Sequence, residues 1–350
     1  MKAVVRYEDG AGKLEVRDVP VPEISDGDVL LRVMAAGLCG SDVNTYKGRS
    51  VFRGPVIIGH EFAGVVEKVG SRVTAWKAGD RVVSDNTGDV CGTCHACIRG
   101  EYLWCPNRKG LGGGIDGGFA EYVRIPEHVL NTYPACLMRI PDNVSFEEAA
   151  ILDPACNGYN ACIQQGGMMP GDSVAVFGAG PLSLGAISAA KAGGAVDIIC
   201  LVRKSTSKAH RDVALKLGAT HILESNSDDA VSEVKRITDG EGVALVLDGA
   251  GPNGLFPISV DIVRNGGKIV RIGYDWEPLG YSLNTMTNRN ISIIGHMGYN
   301  PTSWKQVLKL LSAGMIDLKS TITHTLPLTD FDRGMELMIN REAIKVVFKP

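Results

Sequence analysis

Between residues 172 and 272 short apolar runs alternate with helix-like stretches, and that alternation narrows the possible folds more than any other feature of the chain. Ser173-Val-Ala-Val-Phe177 is a continuous apolar run ended by Gly178-Ala-Gly180. A stretch rich in Ala and Leu follows as far as Lys191, then a strand pattern at Asp197 to Val202 and a helix at His210 to Leu217, stopped by Gly218. The series continues with a strand at His221 to Leu223, a helix around Asp229 to Ile237, and strands at Val243 to Leu247 and Lys268 to Ile272. Strands that are apolar on both faces need helices over both faces, so the pattern predicts an α/β fold built on a doubly wound parallel sheet.

From the start to about residue 150 the texture differs. Short strand candidates such as Val29 to Val33, Gly64 to Val69 and Asp80 to Val83 are broken by Gly, Pro and Asp, which suggests a small β-barrel-like or partly open β domain. At 350 residues two domains are the natural expectation, each with its own core. Glycine, 43 of 350 residues against a usual share of about 7%, forecasts many tight turns and close backbone approaches.

A net charge of −3 with interspersed signs offers no basic stripe for nucleic acid and no polybasic tail for a membrane. The apolar runs are strand-length, short of the roughly 20 residues that span a bilayer. The start, Lys2-Ala-Val-Val-Arg-Tyr7, reads as a strand rather than a secretory signal, so the cytoplasm is the expected compartment.

Four of the nine cysteines crowd into Cys91-Gly-Thr-Cys94-His-Ala-Cys97 and Cys105. In a reducing compartment such a cluster reads as metal binding before disulfides. Four thiolates with no open position make a closed tetrahedral zinc site that holds a loop in shape. Cys105-Pro106 also evokes an iron-sulfur run, but there the last gap is three residues rather than seven. His95, inside the loop, is expected to be a solvated side chain.

A second constellation comes from Gly37-Leu-Cys39-Gly-Ser41-Asp42 and Gly59-His60-Glu61. A thiolate, an imidazole and a carboxylate with one position left open describe a catalytic zinc. Taken singly, a histidine beside a glycine or a lone cysteine is more often structural. Ser41-Asp42 can equally be a turn with a capping side chain.

Gly178-Ala-Gly180-Pro181-Leu182-Ser183, between an apolar strand and a helix, can place backbone N–H groups around a pyrophosphate. Ser183 stands where a third glycine would be. The second strand ends Leu201-Val202-Arg203-Lys204, with no acid at the place where a ribose acceptor is expected about 20 residues on. Arginine there accommodates a 2′-phosphate, so NADP is predicted over NAD, with Arg203 and Lys204 as readers. A solvated basic turn is the alternative.

In this order the motifs closely resemble the zinc-dependent medium-chain alcohol and polyol dehydrogenases, nearest the sorbitol and threonine branches, over almost the whole chain. The resemblance implies a GroES-like β-barrel catalytic domain at 1–155 and 295–350, with a structural zinc lobe at about 88–108, and a Rossmann cofactor domain at 156–294. It implies two zinc ions per chain. Cys39 and His60 would bind the catalytic one, with Glu61 a ligand or one that moves in and out, and Asp153 of Leu152-Asp153-Pro154 standing where the family carries Glu or Cys. Aspartate shortens the reach by one methylene, so direct contact and contact through water are both open. By the same resemblance Ser41 relays the substrate proton, Asp42 orients His60, Asn157 lies near the nicotinamide, and Gly273 joins the cofactor contacts. Asn44, Tyr46 and Asn160 are candidates for a polyhydroxylated substrate, or surface residues.

The expected activity is hydride transfer between a nicotinamide cofactor and a secondary alcohol or ketone of a polyol, sugar or sugar acid, by a homodimer or homotetramer. A threonine-type amino-alcohol dehydrogenase, and a lyase or epimerase that uses the cofactor transiently, are the rivals. A non-catalytic nucleotide sensor would have no need of an open metal site. The stretch His128 to Met138 is longer than the family usually has, and His296 is expected to be structural.

Overall fold

The computed structural model describes residues 1–49, 54–227 and 229–350. Two units emerge from the backbone contacts: Met1–Asp153 with Asn300–Leu308 and Ile322–Pro350, and Pro154–Tyr299 with Lys309–Thr321.

The first unit is mostly β. Strands β1 (Lys2–Arg6), β2 (Leu14–Asp18), β3 (Val29–Gly37), β4 (Val56–Ile57), β5 (Glu61–Val69), β6 (Arg81–Ser84), β7 (Tyr122–Ile125) and β8 (Leu137–Arg139) come from its first segment. The second unit supplies β9 (Ser173–Phe177), β10 (Asp197–Val202), β11 (His221–Glu224), β12 (Val243–Asp248), β13 (Val263–Arg271) and β14 (Ser292–Gly295), after which β15 (Ile322–Pro327) and β16 (Lys345–Lys349) return to the first. In the first unit β2-β1-β4 form one small sheet, and β15-β16-β3-β5-β6-β8, with β7 also on β3, form a larger one. Val29, Leu31, Val33, Phe62, Val66, Phe119, Phe331 and Phe348 fill its core.

The second unit is one parallel sheet in the order β11-β10-β9-β12-β13-β14. Counted from β9 this is 3-2-1-4-5-6, the doubly wound order, with its switch point between β9 and β12. The predicted sheet is therefore present, and β9, β10 and β12 are buried along nearly their full length, as strands covered on both faces must be. Residues 295–299 group with this unit because Gln165 holds His296 at 2.6 Å and the Asn160 amide donates to the Gly298 carbonyl at 3.1 Å. Residues 309–321 join it too, Asp317 lying 3.7 Å from Lys216. Among the described residues no helix is long and apolar enough to cross a membrane.

Candidate functional site

The cysteine cluster closes on itself. One sulfur each from Cys91, Cys94, Cys97 and Cys105 lies within 4.8 Å of all the others, and Cys91 and Cys105 are 3.6 Å apart. Zinc–sulfur bonds of about 2.3 Å put tetrahedral neighbours roughly 3.8 Å apart. The four therefore suit a single ion, whereas an iron-sulfur cubane spreads its thiolates over separate irons. Backbone N–H groups of Thr93 and Cys94 lower the Cys91 thiol to about 6, while burial pushes Cys97 up to about 12. Four thiolates held this close repel one another, and a bound cation offsets that repulsion. His95 is exposed and engages Arg99, outside the set.

Strand register assembles the second cluster. In the antiparallel pair β3–β5, Gly37 lies opposite Glu61, so Cys39, two residues past the end of β3, meets His60, one residue before the start of β5. Gly59 makes the approach with φ +94°, and a Cβ there would fall 2.6 Å from the Phe119 nitrogen. Gly37 has no choice either, since a Cβ on it would sit 2.5 Å from Glu61 Oε2. Ligand atoms of Cys39, His60 and Glu61 come within 4.8 Å of one another.

Asp42 resolves the ambiguity of the Ser41-Asp42 turn by doing both things at once. Its Oδ2 accepts from the Cys39 N–H at 2.9 Å, capping the helix Gly40–Tyr46, and its Oδ1 lies 3.4 Å from His60 Nδ1. This leaves Nε2 for a metal, with the exposed Ser41 Oγ 3.4 Å from it. Burial opposes protonation of His60, but Asp42 and Cys39 outweigh it and raise the imidazole well above its ordinary value. The anionic surroundings thus ask for a cation, and the donor set of thiolate, imidazole and carboxylate suits zinc.

Lys345 was missed in the sequence. It is 1% exposed on β16, with Nζ 2.7 Å from Glu61 Oε1 and 2.5 Å from Oε2, the latter without hydrogen-bond geometry. A single cation inside the apolar run Ala343-Ile-Lys345-Val-Val-Phe348 was the available signal. Asp153 lies outside the set within 4.8 Å, although it faces the same groups: burial, then Glu61, raise its carboxyl to about 7, while His60 and Lys345 act the other way.

The cofactor turn has the shape its sequence suggests. Gly178 has φ +93°, and Gly180 precedes the helix Pro181–Ala192, whose first position is the favoured one for proline. Ser183 turns its hydroxyl back to the Phe177 carbonyl at 2.9 Å, which is how a serine fits where a third glycine would pack. A Cβ on Gly180 would meet nothing within 4 Å, the open space that a pyrophosphate needs there. Leu182 is half-buried in the first turn. Arg203 and Lys204 are exposed, and among the described residues neither side chain has a hydrogen-bond or ion-pair partner; Arg211 holds their carbonyls at 3.1 and 3.2 Å. Gly273 packs on Gly251, where a Cβ would fall 2.4 Å from the Gly251 nitrogen. Asn44 is exposed, Tyr46 packs against the core of the first unit, Asn157 is buried, and the Asn160 amide is engaged by Gly298.

Residues 25–135 match the family described as "Alcohol dehydrogenase GroES-like domain", and residues 181–313 match "Zinc-binding dehydrogenase". The chain is 38% identical to an uncharacterized zinc-type alcohol dehydrogenase-like protein, YdjL, of Escherichia coli K12, over 99% of this chain and 98% of that one. It is 32% identical to a sorbitol dehydrogenase of Halalkalibacterium halodurans, over 100% and 99%. A structure from Sinorhizobium meliloti 1021 with NADP bound superposes with a TM-score of 0.89 at 27% identity, covering 100% of this chain and 99% of that one.

Proposed function

The chain belongs to the zinc-binding dehydrogenases of the medium-chain type, and from that premise we propose that it moves a hydride between NADP(H) and a secondary alcohol or ketone of a polyol, sugar or sugar acid. The observation that carries the reading is the convergence of Cys39, His60 and Glu61 within 4.8 Å, beside the exposed hydroxyl of Ser41. In this reading those three residues hold the catalytic zinc, with Asp153 beside them, and Cys91, Cys94, Cys97 and Cys105 hold a second zinc that shapes the lobe. The proposed catalytic and cofactor domains, 1–155 with 295–350 and 156–294, follow the two units except that residues 154–155, 295–299 and 309–321 group with the cofactor unit.

Bound, the zinc supplies Lewis acidity toward the substrate oxygen and the nicotinamide supplies a hydride acceptor or donor. The protein provides placement and proton handling. Asp42 fixes the His60 ring and its tautomer. Ser41 Oγ, exposed to solvent, carries the hydroxyl proton outward. Lys345 balances the charge of Glu61 where no water can. Gly178, Gly180, Pro181, Leu182 and Gly273 form the backbone that receives the dinucleotide, and Arg203 with Lys204 read its 2′-phosphate. The reduced cytoplasm suits a lobe made of thiolates, and a homodimer or homotetramer is the expected assembly.

A panel of polyols, sugar acids and threonine, followed by absorbance of the reduced nicotinamide, tests the substrate class. Turnover of threonine alone would move the assignment to the amino-alcohol branch. Product formed without net cofactor redox change would indicate a lyase or epimerase. Comparison of kcat/KM for the two cofactors tests the NADP reading: the wild type favours NADP and Arg203→Asp shifts the ratio toward NAD, whereas a strong NAD preference in the wild type defeats it.

A further inference from the structure

The cysteine lobe and the reactive cluster are joined by a run of hydrogen bonds that the function proposed above does not use. Arg108, three residues past Cys105, donates from one terminal nitrogen to Asn86 Oδ1 at 3.0 Å and to the Asn86 carbonyl at 3.1 Å, and from Nε to the Thr87 carbonyl at 3.0 Å. Asn86 Nδ2 in turn donates to Asp153 Oδ2 at 2.9 Å. The amide has one chemically sensible orientation. A guanidinium offers only donors, so the atom facing it is the carbonyl oxygen, and the N–H₂ group necessarily faces the carboxylate.

The loop that carries Asn86 is held on its other side as well. Asp85, fully buried, accepts from the Thr87 N–H and from the Tyr133 hydroxyl, both at 2.6 Å. Tyr133 is 1% exposed and packs on Tyr102 of the lobe with ring centroids 4.6 Å apart. Arg108 on one side and Tyr133, backed by Tyr102, on the other therefore grip residues 85–87 from two directions. The long stretch His128 to Met138 supplies one of the two grips.

We propose that Asn86, clamped by Arg108, is a positioning residue for the reactive metal centre, acting through Asp153. The amide fixes the short carboxylate, which lies within electrostatic reach of Glu61 and His60, and the lobe fixes the amide through Arg108. The inference rests on the reading of Cys39, His60 and Glu61 as a metal centre.

The test is the zinc affinity of that centre, titrated in metal-depleted protein against a chromophoric chelator, with the four-thiolate site filled first and counted separately. Asn86→Leu weakens the reactive centre by roughly tenfold to a hundredfold, and Arg108→Met weakens it in the same direction. In an Asp153→Ala background Asn86→Leu has no further effect, because the two residues act in series. Should Asn86→Leu fail to fold, Asn86→Ser keeps a polar loop with a side chain too short to reach Asp153, and it gives the same loss. Unchanged affinity in the Asn86 variants, or an equal drop with and without Asp153, overturns the inference while leaving the functional reading intact. A wild-type protein that takes up no metal at Cys39 and His60 overturns both.

Discussion

Glu61, a member of the reactive cluster, and Lys345 beside it are both removed from water, 0% and 1% exposed. Burial alone would lower the lysine, but Glu61 and Cys39 outweigh it and raise its proton affinity. The pair is a case in which removal of one partner costs far more than the pair contributes, because the remaining charge has no water to turn to. Lys345→Met should lower the unfolding free energy by about 3–5 kcal/mol, measured by urea denaturation, while Lys345→Arg recovers part of the loss. A variant as stable as the wild type would mean that water reaches Glu61 after all. Asp42 shows the same economy in the opposite direction, since one carboxylate caps a helix and steadies His60.

Elements place these residues, and two of them lend themselves to direct tests. The turn between β9 and its helix leaves open space at Gly180, whose φ of −83° any residue can adopt. Gly180→Ala should therefore leave the melting temperature unchanged while raising the Kd for the reduced nicotinamide cofactor by roughly an order of magnitude, read by fluorescence titration. Equal affinity in the variant would place the pyrophosphate elsewhere. At the end of β14, burial lowers His296 to about 4 from its ordinary 6.5. The folded protein takes up this proton only near pH 4, whereas the unfolded chain takes it up at 6.5, so the unfolded state binds more protons in between. The stabilisation is present above pH 6.5 and is lost as the pH falls toward 4, on the order of 3 kcal/mol in all. Urea midpoints at pH 7 and pH 5 should show a smaller drop for His296→Asn than for the wild type. Parallel slopes would remove His296 from the account.

For the whole molecule, the candidate metal ligands belong to the first unit and the dinucleotide turn to the second, so the two functions should be separable. Chelation of the reactive metal should abolish turnover and leave binding of the reduced nicotinamide cofactor, followed by fluorescence, intact; loss of both together would contradict this. Much of this organisation was legible in the sequence. The parallel sheet follows from apolar runs too uniform to face water, the lobe from four cysteines at close spacing, and the phosphate turn from Gly178 and Gly180 set between an apolar strand and a helix. These are local facts, fixed by the chemistry of neighbouring residues. What the tertiary structure alone decided is which distant residues share a charge. Lys345 meets Glu61 across 284 positions and Arg108 reaches Asp153 through Asn86. Such pairings carry no periodicity and no motif, because strand register and loop packing set them, and register is chosen by the whole core rather than by the residues that it brings together.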